Sequence, residues 1–297
     1  TSSAASDVYK RQLWRFPVKS FQGEKLDRVE LGSNSILGDR AFALLDKETG
    51  KVISAKSVKL FPDLLMCGAS YVTPPVQGEE LPPVQITLAN GEITSSDSKD
   101  VNRVLSGFFG REVELSKTAP DDFTIDQYHP DLENVDPSGN RNVTTEQKLG
   151  SALFKSMGVD SPIPAGSFMD VFPLSVITTS SLEAMKELRP ETNFDALRFR
   201  MNIVVKTDEP GFVENSWVEK SIKIGDEVSI FITMPDPRCV MTTLAQNGIP
   251  KDNHVLRTLV QHNRLDIMGS GKYPCAGVYA AISSSGTVQV NDELKFV

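Results

Sequence analysis

Ile222-Lys-Ile-Gly-Asp-Glu-Val-Ser-Ile230 and Val288-Gln-Val-Asn-Asp-Glu-Leu-Lys-Phe296 repeat one design: an apolar alternation of period two, a turn signal, and a second alternation. Successive side chains on a strand point to opposite faces, so each alternation lays an apolar face on a core, and Gly-Asp or Asn-Asp favours a tight turn. Both segments are predicted hairpins. Working outward, shorter alternations recur at residues 25–31, 41–46, 52–55, 66–72, 84–88 and 113–115, with DKETG (46–50) and ANG (89–91) as turns between strands. Helical spacing is confined to a few short runs. Val101, Val104, Leu105, Phe108 and Phe109 share one face over residues 98–109, stopped by Gly110. A second run starts at Ser180 with a capping-box Glu183 and ends at Pro190, and a third spans 250–263 with Val255, Leu256, Leu259 and Val260 as its stripe. The fold class predicted is mainly β of the α+β kind, with two β-barrel-like domains and a few short helices.

The 297 residues leave room for two such units, at 13–116 and 169–297, separated by a polar connecting segment over 117–168 rich in Pro, Asp, Asn and Gly. Residues 1–12 are set apart, because SSAASDVYKRQ (2–12) has the look of a translated sequencing adapter and not of native chain. Thirty-one basic against 39 acidic residues give a net charge of -8, which disfavours nucleic acid and anionic membrane surfaces as partners. No apolar run approaches the 18 or so residues of a membrane span. Three cysteines, an odd number without a CxxC pair, make neither a disulfide framework nor a zinc site and suit the cytoplasm.

Most catalytic templates fail on their spacing. His129, His254 and His262 are too few and too scattered for a histidine metal centre. Gly269-Ser-Gly-Lys272 lacks the preceding glycine and the following hydroxyl of a phosphate loop, because those places hold Asp266 and Tyr273. No GxSxG elbow or strand-linked GxGxxG occurs. Two signals remain. Cys239 lies in Pro-Asp-Pro-Arg238-Cys239, where a neighbouring guanidinium stabilises the nucleophilic, metal-binding thiolate, although a small buried hydrophobe remains an alternative. Lys19-Ser20, Gly38-Asp39-Arg40 and Arg198-x-Arg200-x-Asn202 supply cations and hydroxyls near strand edges, from which an anion cradle can be built. Cys67 and Cys275 sit in apolar surroundings and are assigned to packing.

Six ordered motifs carry a resemblance. FPVKSFQGE (16–24) and LGDRAFALLD (37–46) resemble the N-terminal β-barrel domain that precedes a molybdenum cofactor sulfurase C-terminal (MOSC) domain. FPLSVITTSSL (172–182), DALRFRMNIVV (195–205), PRCVMTT (237–243) and the closing YPCAGVYA to NDEL (273–294) resemble the MOSC domain itself. Two departures stand out: Met201 where many relatives have proline, and Asp236-Pro237 before the cysteine.

The resemblance implies a molybdenum cofactor (Mo-molybdopterin) with Cys239 as metal ligand and catalytic residue, held by Lys19, Ser20, Arg40, Thr178, Ser181, Arg200, Asn202 and Arg238. It implies an oxidoreductase that reduces small N-hydroxylated compounds, fed by an external electron donor such as a ferredoxin or flavin reductase-like protein, since the chain has no flavin, haem or iron-sulfur motif of its own. The alternative is a sulfur-carrier or molybdenum cofactor carrier protein using a Cys239 persulfide. Pyridoxal phosphate is not expected in this chain.

Overall fold

The computed structural model describes residues 8–246 and 248–297. One nine-stranded sheet organises the second half of the chain. Its hydrogen-bonded order runs Leu174–Thr178, Ile203–Lys206, Val8–Arg15, Glu293–Phe296, Ser221–Ile224, Val228–Pro237, Lys272–Ser284 and Arg264–Asp266, with Glu24–Leu26 added on Val8–Arg15. Leu174–Thr178 also pairs with Lys272–Ser284, which curls the sheet back towards its own start. Leu13, Val176, Ile203, Ile224, Ile230, Val278 and Leu294 fill the inside of the curl. The first seven residues of the segment set apart above lie outside the described residues, but from Val8 the backbone is part of this sheet, with Tyr9 opposite Lys206.

The mainly β class with a few short helices is what the chain adopts, but the strands after Leu31 do not join into one continuous barrel. Those between Leu31 and Lys117 form a three-stranded sheet, Gly68–Tyr71, Val84–Thr87 and Ile93–Ser95, and a separate pair, Ala43–Asp46 with Val113–Ser116. The helix Val101–Phe109 closes their shared core of Phe21, Phe42, Leu65, Ile86 and Leu105, and Gly110 ends it in the left-handed conformation as its sequence position predicts. The turn at 89–91 makes the predicted hairpin.

Two expectations are corrected by long-range pairing. Ser221–Ile224 and Val228–Pro237 do form a hairpin, with Ile224 opposite Val228 and Ile222 opposite Ile230. The twin at 288–296 keeps its turn, closed by the Asp292 N–H donating to Gln289 O at 3.1 Å, yet its two halves part company. Gly286–Gln289 pairs with Arg28–Leu31, whereas Glu293–Phe296 pairs with Ser221–Ile224. Each half gains a partner with a matching buried face, Val288 on Val29 and Leu294 on Ile224, that the other half could not supply. The connecting segment is also more ordered than its composition suggests. Thr124–His129 and Val143–Lys148 form an antiparallel pair, and Phe123, Ile125 and Phe168 bury against Ala43 and Val52. Val143–Lys148 is polar after its first residue, so no alternation betrays it.

Helix starts also shift. Thr178, not Ser180, caps the helix Thr179–Leu188, its Oγ1 accepting from Ser181 N at 3.1 Å. The helix predicted from Pro250 spans His254–His262, begun by Asp252 Oδ1 accepting from His254 N at 2.8 Å.

Gly277 is a tight point on the strand that closes the curl. It has φ +77°, and a Cβ there would lie 2.6 Å from Val176 O and 2.4 Å from Met201 Cε. Gly277→Ala is expected to cost about 2 kcal/mol, read as a lower midpoint in denaturant unfolding with the slope unchanged.

Candidate functional site

Three non-glycine residues held in the left-handed backbone region meet at one cavity. Among the described residues, Ser20 (φ 65°), Arg40 (φ 46°) and Arg200 (φ 53°) are three of the seven non-glycine positions with positive φ. Such conformations cost free energy and persist where the surroundings impose them, so their convergence marks a built site. Ser20 is held by its Oγ accepting from Ala55 N at 2.9 Å. Arg40 follows Asp39, whose buried carboxylate accepts from Phe16 N at 2.7 Å, from Asn202 Nδ2 at 3.1 Å and from Arg40 itself. Arg200 ends the short turn Ala196–Phe199 and donates Nη1 to Phe21 O at 2.6 Å. The Arg40 and Arg200 guanidinium carbons lie 4.5 and 4.4 Å from the Phe16 ring centroid.

The cavity is lined by Lys19, Ser20, Arg40, Lys56, Arg200, Asn202 and Arg238, facing Asp170, Asp236 and Tyr279. Five cations against two carboxylates, on a chain of net charge -8, make a local cationic pocket. Lys19 and Lys56 both bond Asp170, Lys56 at 2.8 Å, and against burial the two lysines hold that carboxyl well below the usual carboxylate range. The lysine and arginine groups are under strain of the opposite kind. Burial, together with Lys56 and Arg40, brings Lys19 down to about 8, and burial with Arg40 and Arg238 brings Arg200 down to about 9.

A bound anion relieves that repulsion and raises Lys19, so binding takes up a proton wherever Lys19 is partly deprotonated in the free protein. Affinity for sulfate, whose own charge is constant over this range, is therefore expected to be near its plateau at pH 7 and to fall as pH rises through 8, by up to about tenfold per unit. Calorimetric titrations in buffers of different ionisation enthalpy measure both the affinity and the proton uptake.

Of the residues named from sequence, Lys19, Ser20, Arg40, Arg200, Asn202 and Arg238 come together here. Thr178 and Ser181 do not line the cavity. Their hydroxyls donate to the buried Glu214 Oε2 at 2.6 and 2.7 Å, where burial raises the carboxyl despite those bonds. Cys239 is half-buried and does not itself line the cavity, but it lies between two residues that do, following Arg238 directly and preceding Met241 by two positions. Cys67 and Cys275 are buried, and burial pushes their thiols up to about 11 and about 12, in keeping with packing roles. Sequence reading missed Lys56, Asp170 and Tyr279, and noted Asp236 without giving it a role. Each is an isolated polar residue, and only strand register brings Tyr279 beside Asp236.

The donor set can be tested against an anionic metal cofactor. Among the described residues no three His, Cys, Asp or Glu side chains are grouped to hold a metal ion, so a metal here would take a single thiolate from the protein and bring its other ligands with it. Arg238 donates Nη2 to Phe199 O at 2.8 Å and Nη1 to Asp236, but its buried Nε has no partner and remains a donor for a ligand. The residues fit such a group.

Curled sheet, cationic cavity and nearby thiol define a mainly β protein with one strongly cationic pocket. The chain is a MOSC-domain protein: the MOSC domain model matches residues 165–295 and the MOSC N-terminal beta barrel domain model matches 9–112. Mitochondrial amidoxime-reducing component 1 of Mus musculus is 26% identical over 95% of this chain and 80% of that protein, and the Homo sapiens counterpart is 24% identical over the same shares. Molybdenum cofactor sulfurase of Oryza sativa subsp. japonica is 24% identical over 89% of this chain, which spans 32% of that longer protein. No helix among the described residues is long and apolar enough to cross a membrane.

Proposed function

We propose that this protein binds the molybdenum cofactor in the cationic cavity, with Cys239 as the protein's ligand to the metal, and reduces small N-hydroxylated compounds with electrons from a separate redox protein. The observation that carries this reading is the convergence of Lys19, Arg40, Lys56, Arg200 and Arg238 on one cavity beside a half-buried thiol. The amidoxime-reducing relatives in mouse and human support the choice of substrate class. When bound, the cofactor supplies two-electron redox chemistry at molybdenum.

The chain's own residues do the rest. Lys19, Arg40 and Arg200 neutralise the ligand's phosphate, a role in which arginine's fork and the excluded water both strengthen the bond. Arg238 Nε is the free donor, and Cys239, next to Arg238 in the chain, would give the metal its protein sulfur. Asn202 orients Asp39, and Asp39 orients Arg40. Thr178 and Ser181 act further off, fixing the start of the helix Thr179–Leu188 on Glu214.

The test is turnover. Protein purified from a host that makes the cofactor, supplied with a chemical reductant, is expected to convert an aromatic amidoxime to the amidine. Absence of that product from metal-replete protein overturns the reading. The second reading, a sulfur or cofactor carrier, draws on the likeness to the rice sulfurase and on the same half-buried Cys239. It predicts sulfane sulfur on Cys239 and no amidine.

A further inference from the structure

Asp236 is the one carboxyl in the cavity wall that cation pairing does not fully explain. It lies near the end of the strand Val228–Pro237 and is 2% exposed. One oxygen, Oδ2, takes Arg238 Nη1, whereas Oδ1 is buried without a hydrogen-bond partner. Asp236 itself falls in an irregularity of the pairing between Pro235 and Pro237; Tyr279, on the paired strand Lys272–Ser284, stands opposite Met234, two residues before Asp236. The Tyr279 hydroxyl interacts with the same carboxyl, and both residues line the cavity. A carboxyl serving only as a counter-ion has no need of a tyrosine or an open oxygen.

Resting on the reductase reading, we infer that Asp236 and Tyr279 are the proton-delivery pair of the reduction, with Asp236 storing the proton and Tyr279 linking it to the substrate. In the overall step an N-hydroxyl compound takes up two electrons and two protons and yields the corresponding N–H compound and one water. The N–O bond breaks, nitrogen is reduced, the separate electron-donor protein is oxidised, and the leaving hydroxyl becomes water on taking one proton. That proton comes from the Tyr279 hydroxyl, which is refilled from Asp236; the second, on nitrogen, enters from solvent.

The groups around Asp236 suit the task. Burial pushes its carboxyl up to about 6, against Arg238, the Tyr279 hydroxyl and Lys56, while Asp170 adds to the rise. Burial also keeps Tyr279 protonated to well above its ordinary range, so it passes protons on and does not lose them to solvent. A general acid works best when its pKa lies near the working pH.

Asp236→Asn keeps an oxygen for Arg238 and removes the proton. On metal-replete protein with a chemical reductant and an aromatic amidoxime, it is expected to lower kcat by roughly 30-fold or more with KM within about threefold, and to abolish the pH dependence centred near 6. Tyr279→Phe lowers kcat by about tenfold. Asp236→Glu restores part of the rate and the titration. Independently of turnover, infrared difference spectra of the full chain between pH 5 and 8 should show a protonated-carboxyl band that disappears in Asp236→Asn and shifts in Tyr279→Phe. No amidine from the unaltered protein sinks the reductase reading. Amidine formed at an unchanged rate and pH profile by Asp236→Asn, or no titrating carboxyl band in the unaltered protein, overturns the proton-delivery assignment alone.

Discussion

Cys239→Ala is expected to lower bound molybdenum by roughly tenfold or more and to remove measurable amidoxime reduction, while the melting temperature stays within about 2 °C. The asymmetry follows from where the sulfur sits. It is half-buried at the entrance to the short turn Val240–Thr243, and none of the hydrogen bonds holding that turn uses it: Thr242 Oγ1 donates to the Cys239 carbonyl at 3.1 Å, and Thr243 Oγ1 to Val240 O at 2.7 Å. Deleting one sulfur there leaves the cradle of Lys19, Arg40 and Arg200 intact, so pterin should be retained better than metal. Elemental analysis, pterin fluorescence and thermal unfolding on one preparation separate the two losses. Equal molybdenum in the variant removes Cys239 from the metal.

Arg198→Met is expected to be the most destabilising single change near the site, by about 4 kcal/mol and roughly 8–16 °C in melting temperature. The guanidinium is fully buried, and its hydrogen bonds go to carbonyls: Nε to Asn193 O at 2.6 Å, Nη1 to Thr242 O and Leu244 O at 3.3 and 3.4 Å, and Nη2 to Pro250 O at 2.7 Å. Burial lowers Arg198 from its ordinary value, against the nearby Asp252 and Asp195. Methionine fills much of the volume but strands four acceptors away from water, each costing about 1–3 kcal/mol before relaxation. The same four carbonyls tie the turn after Cys239 to the loop before the helix His254–His262, so the variant should also bind metal more weakly at temperatures where it is folded. A melting temperature unchanged within about 2 °C would mean that the carbonyls find other partners.

Arg198 shows why only part of the site is legible in a sequence. In Arg198-x-Arg200-x-Asn202 the three polar residues look equivalent, but Arg198 serves the backbone while Arg200 and Asn202 line the cavity, Asn202 also orienting a carboxylate. The local pattern marks polar residues at strand ends, and the resemblance picks out six that do meet. Neither could separate Thr178 and Ser181 from the cavity, because a hydroxyl at a helix start looks the same whether it caps, binds Glu214 or holds a ligand. Lys56 and Tyr279 were invisible for the opposite reason: nothing next to them is unusual, and they reach the cavity only through pairings far along the chain. At the level of the fold, period-two alternation identified strands wherever one face is buried and one is wet. It failed at Val143–Lys148, which buries little, and it could not tell a hairpin from two strands with distant partners, since both share one pattern.

The parting of the last two strands has a kinetic consequence. Gly286–Gln289 closes on Arg28–Leu31, joined further by Thr287 Oγ1 donating to Glu30 Oε1, and Glu293 pairs with Tyr9. These contacts join the two extremes of the described chain, and ordering so long a loop must be paid for before the pairing stabilises anything. During synthesis, the face of Val29 and Leu31 therefore waits uncovered until Val288 has left the ribosome. Refolding from denaturant should accordingly be slow for a chain of this size, and a ribosome stalled before Gly286 should hold a nascent chain whose first strands are still open to proteolysis.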